Sequence, residues 1–302
     1  NYKIGGPARL FVEAETTEEL KEILKQVQND NEKVFILGGG TNVLIGDKGF
    51  DGLVIHNKIE GILRQRLGQE DSIEVGSGTM IKDLLTFCIE NSLSGLEWAG
   101  GLPGTVGGAI RGNAGAFKGE IKDNVLEVRS LDIKSLEEKI RSNSECNFGY
   151  RNSIFKSGIG ENEFITSVVL RLTEDDKEEI KQKIQQKIDY RINRHPMNYP
   201  NIGSAFKNIP LTSLSSNLQK EFAEFVKTDP FPVVPTTKLL ALAGLKGRKK
   251  GDAMISDKHP NFIINLNNAT AEDVKALIEI SRQAIKEKYN IDLEEEIVYL
   301  SC

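Results

Sequence analysis

The sequence predicts a mixed α+β protein built in three parts, and three observations lead to that prediction. The chain has 302 residues, about twice the length of an average domain. Helix and strand patterns alternate at its start, strands dominate its middle, and a long amphipathic helix lies near its end. The 28 glycines gather in clusters. We therefore place domains at residues 1–59, 60–193 and 194–290, with a terminal strand in 291–302 that returns to the first domain.

The first domain has the pattern of one small α/β unit. Residues 10–14 form a short apolar run that is typical of a strand. Thr16 and Glu19 form a capping box, which predicts the start of a helix. Two β-rich segments, 33–37 and 52–55, predict strands on either side of a glycine turn. Apolar residues at helical spacing give the predicted helix one buried face: Leu20, Ile23, Leu24 and Val27.

The rest of the chain is predicted from the same periodicities. The second domain has strands at 72–75, 125–133 and 164–172, and a helix whose apolar residues share one face: Ile81, Leu84, Leu85, Cys88 and Ile89. A charged helix over 174–194 leads into the last domain. That domain has a loop region at 209–235, a helix at 238–243, a strand at 262–265, a capped helix at 271–289 and a terminal strand at 297–300.

Composition and charge exclude several classes of protein. Lys and Arg number 39 against 44 Asp and Glu, so the net charge is 39 − 44 = −5, and there is no global basic field for nucleic acid or an anionic membrane. No apolar stretch reaches the ~18–20 residues of a membrane span. The three cysteines (Cys88, Cys146 and Cys302) are odd in number and widely spaced, which favours neither a disulfide framework nor a metal site. None of the histidines has metal-ligand spacing.

These exclusions lead to expectations about the location and the partners of the protein. We expect a cytoplasmic monomer with no nucleic acid, membrane or metal partner. The first residues lack the apolar segment of a signal peptide. Because the sequence begins with Asn1 and not with methionine, the loss of an N-terminal segment stays open.

The glycine clusters are the most informative feature. The first, at 38–42, directly follows a predicted strand, and consecutive N–H groups without side chains suit a diphosphate, whereas a plain tight turn is the alternative. The chain lacks the GxGxxG and GxxxxGK[ST] patterns, which argues against a Rossmann fold and a P-loop. The second cluster, at 100–116, is punctuated by Leu102, Val106 and Ile110. This regularity disfavours a solvated linker, so we expect a loop that lies against a flat ligand or another backbone.

Seven segments in one order carry a family resemblance. They are GGGTNVLI at 38–45, AGGLPGTVGGAIRGNAGA at 99–116, FGYRNSIFK at 148–156, GSAFKN at 203–208, AGLKG at 243–247, DKHPNFIINLNNATAEDV at 257–274 and LEEEIVYL at 293–300. Together they resemble the UDP-N-acetylenolpyruvoylglucosamine reductases, FAD- and NADPH-dependent flavoenzymes that complete UDP-N-acetylmuramate for peptidoglycan. The resemblance spans nearly the whole chain.

The resemblance implies a fold and a cofactor. The expected fold is a vanillyl-alcohol-oxidase-type (PCMH-type) FAD cradle of two α/β subdomains with a C-terminal α+β substrate domain. Because Leu172 passes directly into the charged helix, the chain resembles the subgroup without a substrate-covering loop. The diphosphate of FAD would be held by Gly38, Gly39, Gly40, Thr41, Asn42 and Val43. The isoalloxazine and ribityl region would be lined by Gly104, Thr105, Gly107, Gly108 and Asn113, whose N–H dipoles would stabilise anionic oxygens.

Three catalytic residues follow from the same resemblance. Arg151 would bind the substrate carboxylate in a bidentate manner, and Ser204 would donate a proton. Glu296 would be the third, brought beside Arg151 by the terminal strand. The family usually has a proline between two glutamates, and Glu295 takes its place here, so Glu296 is preferred over Glu294.

Four residues fall where the family binds its sugar nucleotide: Arg194, Lys207, Asn208 and His259. Lys207 is also a candidate for stabilising the serine alkoxide. Arg194 either binds a diphosphate or caps its own helix. A basic run at 246–250 is either a phosphate-facing loop, together with Asp252, or a plain exposed run.

Two other functions stay open at this point. The first is another FAD-dependent oxidoreductase on the same cradle, such as an oxidase or the FAD subunit of a molybdenum hydroxylase. It would keep FAD but not the set of Arg151, Ser204 and Glu296. The second is a non-catalytic sugar-nucleotide sensor without flavin.

Overall fold

The structure is a computed structural model that describes residues 1–27, 32–67 and 70–300. The helices are α1 Thr17–Val27, α2 Ile81–Glu90, α3 Val106–Gly112, α4 Lys177–Arg194, α5 Ser216–Glu221, α6 Thr236–Leu242 and α7 Ala271–Tyr289. The strands are β1 Ala8–Ala14, β2 Val34–Leu37, β3 Val43–Ile45, β4 Phe50–Asn57, β5 Ile62–Leu67, β6 Glu70–Gly76, β7 Leu93–Ser94, β8 Gly115–Ala116, β9 Gly119–Glu120, β10 Val125–Asp132, β11 Glu138–Ser142, β12 Glu163–Glu174, β13 Ile209–Pro210, β14 Lys227–Thr228, β15 Pro232–Val234, β16 Lys249–Lys250, β17 Ala253–Ile255, β18 Ile263–Asn265 and β19 Val298–Leu300.

The chain divides into two compact units. We call Ala8–Gly39 with Asp51–Asp189 the sheet unit, and Asn1–Pro7 with Gly40–Phe50 and Tyr190–Cys302 the terminal unit. The boundary between them passes through the first glycine cluster, between Gly39 and Gly40. The division into three domains at 1–59, 60–193 and 194–290 stays a prediction.

The sheet unit has a small three-stranded sheet in the order β1-β4-β2, in which β2 and β4 run parallel. Helix α1 packs Leu20 and Leu24 into the core beside this sheet. Half of the predicted capping box is present, because Thr16 Oγ1 accepts the N–H of Glu19 at 3.1 Å, whereas Oε2 of Glu19 accepts the N–H of Glu15 at 2.9 Å and not that of Thr16. An oxygen acceptor for this N–H satisfies one of the donors that the helix start leaves open.

The larger sheet of the same unit has the order β11-β10-β12-β6-β5, and β7 pairs with β12. Its strands are antiparallel. Helices α2 and α3 cover a core that includes Val75, Val128 and Phe155. Burial of such side chains from water is worth about 1.5–3 kcal/mol each, which makes this core a rigid base for the loops attached to it.

Two buried cysteines belong to this unit. Cys88 on α2 and Cys146 are both free thiols, and burial raises the pKa of Cys88 to about 12 and that of Cys146 to about 11. A thiol with so high a pKa is unreactive at neutral pH. Cys302 lies outside the described residues.

The expectation of a loop throughout 100–116 is wrong, because Val106–Gly112 forms helix α3. The buried residues Val106, Ala109 and Ile110 have helical spacing. Three glycines in the same helix hid this pattern, since each disfavours a helix by ~1 kcal/mol relative to alanine. Packing outweighs that cost here.

The terminal unit contains the sheets β13-β15-β14 and β16-β17-β18, and β19 runs parallel to β3. Helix α7, which has the predicted bounds, buries Val274, Leu277 and Ile285 in the core of this unit. The carboxylate of Asp47 accepts the N–H of Ala271 at 2.8 Å at the start of α7, where the helix dipole favours an anion. Across the described ranges, no helix combines the length and the apolar character of a membrane span.

Candidate active site

The first glycine cluster follows the end of β2 at Leu37. A Cβ on Gly38 would lie 2.6 Å from Oγ1 of Thr105, in the second cluster. Glycine is therefore required at residue 38, because any side chain there would clash with the hydroxyl of Thr105. Gly40 has a φ of +60°, which glycine adopts without strain.

The second cluster is built around the start of α3. Thr105 is the N-cap, and its Oγ1 accepts the N–H of Gly108 at 3.4 Å. The N–H of Val106 donates to Thr79 at 2.9 Å, and the N–H of Gly107 donates to Ser77 at 2.8 Å. The first N–H groups of the helix thus already have acceptors within the protein. The N–H of Gly107 is therefore engaged with the protein, and the part of this glycine in lining the flavin stays a prediction.

Individual glycines of this cluster have different surroundings. A Cβ on Gly107 would lie 3.0 Å from Cβ of Ser77, so that glycine serves close packing. Gly108 is exposed, and a Cβ there would meet only Oγ1 of Thr105, at 3.5 Å. Gly104 has a φ of +102°. An exposed glycine surface beside a tightly packed glycine turn fits a planar ligand such as a flavin.

Asn113 is fully buried and ends α3 in the left-handed conformation, with a φ of +42°. Its Nδ2 donates to the carbonyl of Gly149 at 2.9 Å and to Oε1 of Glu120 at 3.1 Å. The Nδ2 group is therefore engaged by the protein, and contact of Asn113 with the cofactor stays a prediction. What Asn113 does is hold the backbone two residues before Arg151.

Arg151 lies in a tight turn between Gly149 and Asn152, which exchange backbone hydrogen bonds of 2.9 and 3.2 Å. Its φ is +55°, a conformation that costs a non-glycine residue roughly 1 kcal/mol or more. Its Nη2 donates to the carbonyl of Gly115 at 2.9 Å, and its own carbonyl accepts Nζ of Lys156 at 2.9 Å. The end of the second glycine cluster thus orients the guanidinium.

Ser204 lies in a segment held from two sides within the terminal unit. Ser204 forms a bridge with Phe262, and the N–H of Ala205 donates to Asn261 at 2.7 Å. On the other side, the N–H of Glu296 donates to Ala205 at 2.9 Å. The fold therefore brings the segments of two predicted catalytic residues together, although they lie far apart in sequence.

Asn261 is a residue that the sequence analysis missed. It is 3% exposed, and its amide binds both backbone groups of Phe206: Oδ1 accepts the N–H at 3.1 Å, and Nδ2 donates to the carbonyl at 2.8 Å. This two-point contact fixes the backbone at Phe206, two residues after Ser204. The DKHPNFI segment contained the residue, but no periodicity pointed to its role.

The three glutamates at 294–296 have separate partners. The side chain of Glu294 is 71% exposed and pairs with Nζ of Lys207. Glu295 pairs with Nη1 of Arg282 at 2.6 Å and accepts the hydroxyl of Tyr299. The backbone of Glu296 is bound through both its groups. Its N–H donates to the carbonyl of Ala205, and its carbonyl accepts Nδ2 of Asn42 at 2.8 Å. The exposed ion pair of Glu294 supports the preference for Glu296.

The predicted substrate residues also lie in the terminal unit. Oδ1 of Asn208 accepts the N–H of Thr236 at 3.2 Å. The guanidinium of Arg194 lies over the ring of Tyr190, 5.2 Å from its centroid, and the side chain of Lys207 is engaged with Glu294. The exposed basic residues of 246–250 support the plain exposed run, and Oδ2 of Asp252 accepts the N–H of Asn268 at 3.0 Å.

His259 packs edge-on against His195, with 5.1 Å between the ring centroids. Burial is the main cause that lowers the pKa of each to about 4. Nδ1 of His259 is buried and, within the described part of the chain, has no hydrogen-bond partner. A neutral imidazole with an unused nitrogen can make a polar contact to a substrate.

The predicted catalytic set is therefore divided between the units. Ser204 and Glu296 lie on paired segments of the terminal unit, and Arg151 lies in the sheet unit. The placement of Glu296 beside Arg151 stays a prediction. Chemically, the three supply a cation for a carboxylate, a hydroxyl for proton donation and a carboxylate.

Comparisons with known proteins agree with the segments described above. Residues 195–300 match the family model for the C-terminal domain of UDP-N-acetylenolpyruvoylglucosamine reductase, and residues 8–135 match an FAD binding domain. Reductases of this name from Geobacillus kaustophilus and Clostridium tetani are 37% and 34% identical, over 98% and 99% of this chain and 88% of each relative. The crystal structure of UDP-N-acetylenolpyruvylglucosamine reductase from Thermus caldophilus matches with a TM-score of 0.74 and 30% identity, over 98% of this chain and 93% of that one. These matches confirm the predicted fold class.

Proposed function

Because the chain belongs to the UDP-N-acetylenolpyruvoylglucosamine reductase family, we propose that it reduces UDP-N-acetylglucosamine enolpyruvate to UDP-N-acetylmuramate. The reaction uses FAD and NADPH and provides a precursor of peptidoglycan. The observation that carries the proposal is the backbone pairing of the GSAFKN segment with the glutamates at 294–296. This pairing unites two distant parts of the family pattern in one folded unit.

FAD, when bound, would supply the hydride chemistry that links NADPH to the vinyl carbon of the substrate. The residues that would hold it are Gly38, Gly39, Gly40, Thr41, Asn42, Val43, Gly104, Thr105, Gly107 and Gly108. The absence of side-chain bulk at Gly38 and the exposed surface at Gly108 support this assignment. Asn113 is proposed to line the same region, and its amide also holds the turn of Arg151 through its bond to Gly149.

Arg151 binds the carboxylate of the enolpyruvyl group. When hydride adds to the vinyl carbon, negative charge builds up toward that carboxylate, and a charge-assisted bidentate hydrogen bond strengthens as the charge grows. Stabilisation that is greater in the transition state than in the ground state increases the rate. The bond from Arg151 to Gly115 and the clamp by Asn113 hold the side chain for this task.

Ser204 donates the proton that completes the reduction. Its hydroxyl is protonated at neutral pH, so it donates only to a strongly basic carbon. The bonds that fix Ala205 and Phe206 keep the serine backbone in one position, which favours a proton transfer of short range. Glu296 is the third catalytic residue of the proposal. Lys207, which pairs with Glu294 in the terminal unit, is also proposed to stabilise the serine alkoxide.

In this proposal the sugar nucleotide is bound by Arg194, Lys207, Asn208 and His259. The unused Nδ1 of His259 supports its part. We further propose that the protein is a monomer in the bacterial cytoplasm, where its two soluble substrates are present.

The experiment follows the absorbance of the purified, FAD-loaded protein near 450 nm. NADPH without oxygen is expected to bleach the flavin band, and UDP-N-acetylglucosamine enolpyruvate is expected to restore it. UDP-N-acetylglucosamine, which lacks the enolpyruvyl group, is the matched control and should restore nothing. Bleaching without recovery would favour another FAD-dependent oxidoreductase. A folded protein that takes up no FAD would favour a sugar-nucleotide sensor.

A further inference from the structure

We propose that Asn42 is the positioning residue of Glu296, so that one residue of the FAD diphosphate segment also fixes the backbone of the catalytic carboxylate. The inference rests on the proposed function, because it takes Glu296 as catalytic. It concerns three residues of the terminal unit: Asn42, Glu296 and Val298.

The contact has two hydrogen bonds on either side of Ile297. Nδ2 of Asn42 donates to the carbonyl of Glu296 at 2.8 Å, and the N–H of Val298 donates to the carbonyl of Asn42 at 3.0 Å. One residue thus binds the backbone of Glu296 and of Val298. The first bond needs a side-chain donor and the second needs the backbone carbonyl of Asn42. Asparagine supplies the donor in a short, stiff side chain.

The contact matters because the strand that follows Glu296 is short. Strand β19 has three residues, and its parallel pairing with β3 begins only at Val298 and Val43. The side chain of Asn42 extends this pairing back to Glu296, beyond the end of the ladder. On the opposite side, Glu296 is fixed by its N–H bond to Ala205. Removing the Asn42 amide would leave the carbonyl side of Glu296 free to move.

The position of Asn42 links this contact to the proposed cofactor site. Asn42 follows the glycines of the first cluster directly, in the segment proposed to hold the FAD diphosphate. Its side chain is engaged with Glu296, so it is not the side chain that binds FAD. The structure therefore separates the two roles: backbone groups for the cofactor and the amide for the carboxylate residue.

The test compares the two half-reactions of the FAD-loaded protein by stopped-flow absorbance. In Asn42→Ala, flavin reduction by NADPH should stay within twofold of wild type, and flavin reoxidation by the enolpyruvyl substrate should slow roughly tenfold, as is usual when a supporting partner is removed. The slowing should lie in the limiting rate of reoxidation at saturating substrate, as in Glu296→Gln, and the half-saturating substrate concentration should be nearly unchanged. Asn42→Ala should have no further effect in the Glu296→Gln background, because the amide acts through that carboxylate.

Asn265→Ala is the matched control. Nδ2 of Asn265 also donates to a backbone carbonyl in the terminal unit, that of Tyr2, at 3.1 Å, and its Oδ1 accepts the N–H groups of Asn267 and Ala269. Asn265→Ala therefore removes at least as many backbone contacts as Asn42→Ala, but away from Glu296, and it should leave the limiting rate of reoxidation unchanged. If Asn42→Ala does not fold, Asn42→Leu keeps the approximate size, removes the N–H donor without adding charge and should give the same slowing.

The outcomes separate this inference from the proposed function. If Glu296→Gln leaves reoxidation unchanged, the proposed role of Glu296 is wrong. If Glu296→Gln slows reoxidation but Asn42→Ala does not, or if the two effects multiply, the inference about Asn42 alone is overturned. Loss of FAD affinity with equal slowing of both half-reactions would make Asn42 a cofactor-binding residue instead.

Discussion

Gly38→Ala is expected to destabilise the protein by a defined steric mechanism. The new Cβ would lie 2.6 Å from Oγ1 of Thr105, whereas the Cβ and Cγ2 atoms of that threonine are 3.7 Å away. The hydroxyl therefore has to move, and Thr105 is a buried N-cap. Movement of the hydroxyl breaks its hydrogen bond from Gly108.

The magnitude follows from two costs. Loss of an N-cap costs ~1 kcal/mol, and a side chain forced from its rotamer costs about 0.5–1.5 kcal/mol. The free energy of unfolding should therefore fall by about 1.5–2.5 kcal/mol. Urea unfolding, followed by the fluorescence of Trp98 at a fixed excess of FAD, measures the change. A separate FAD titration allows the part due to weaker binding to be subtracted.

A double-mutant cycle with Thr105→Ala provides the control. Thr105→Ala removes Oγ1, so Gly38→Ala in that background should cost less than ~0.5 kcal/mol, the usual scale of a change without a new clash. The coupling between the two sites should then exceed ~1 kcal/mol. If Gly38→Ala costs the same in both backgrounds, the steric account of this glycine is refuted.

Three further predictions concern other residues. Gly108→Ala should raise stability by up to ~1 kcal/mol, as in a helix, but weaken FAD binding at least tenfold in a fluorescence titration. Gly112→Ala, where a Cβ meets no atom within 4 Å, should not affect FAD affinity. Asn261→Ala should slow flavin reoxidation roughly tenfold and leave reduction unchanged, and equal slowing of both would contradict its positioning role. Because the folded-state pKa of His259 is about 4, below the ordinary 6.5, the unfolded chain takes up the extra proton as the pH falls from 6.5 to 4, and stability falls with it. Between pH 7.5 and 5, the free energy of unfolding in urea should fall by about 2 kcal/mol less for His259→Asn than for wild type. Equal falls would contradict the burial of this ring.

The elements with clear periodicity were predictable from the sequence. The capped helix at 271–289 has the expected bounds, because its apolar stripe and its capping box agree. Helix α3 was missed, since glycine signals a loop locally and the helix is made favourable by burial of Val106, Ala109 and Ile110 in the core. Strand β3 was also missed, because three residues are too few for a pattern, and its partner β19 lies at the other end of the chain.

The candidate site was predictable as a list of residues but not as an arrangement. The resemblance identified Arg151, Ser204 and Glu296 through their segments. It did not identify the asparagine contacts beside them, in which Asn42 and Asn261 bind backbone groups remote in sequence. Side-chain bonds to distant backbone leave no periodic signal, so only the folded structure reveals them.

In the proposed mechanism Ser204 acts only in the second half of the reaction, and Ser204→Ala separates the two halves. Stopped-flow measurement of both half-reactions should show flavin reduction by NADPH close to the wild-type rate and reoxidation by UDP-N-acetylglucosamine enolpyruvate slower by roughly 10² or more. Ser213→Ala, which removes an exposed hydroxyl of the same unit, should match wild type in both. Equal slowing of the two half-reactions by Ser204→Ala, or no slowing of either, would contradict the account.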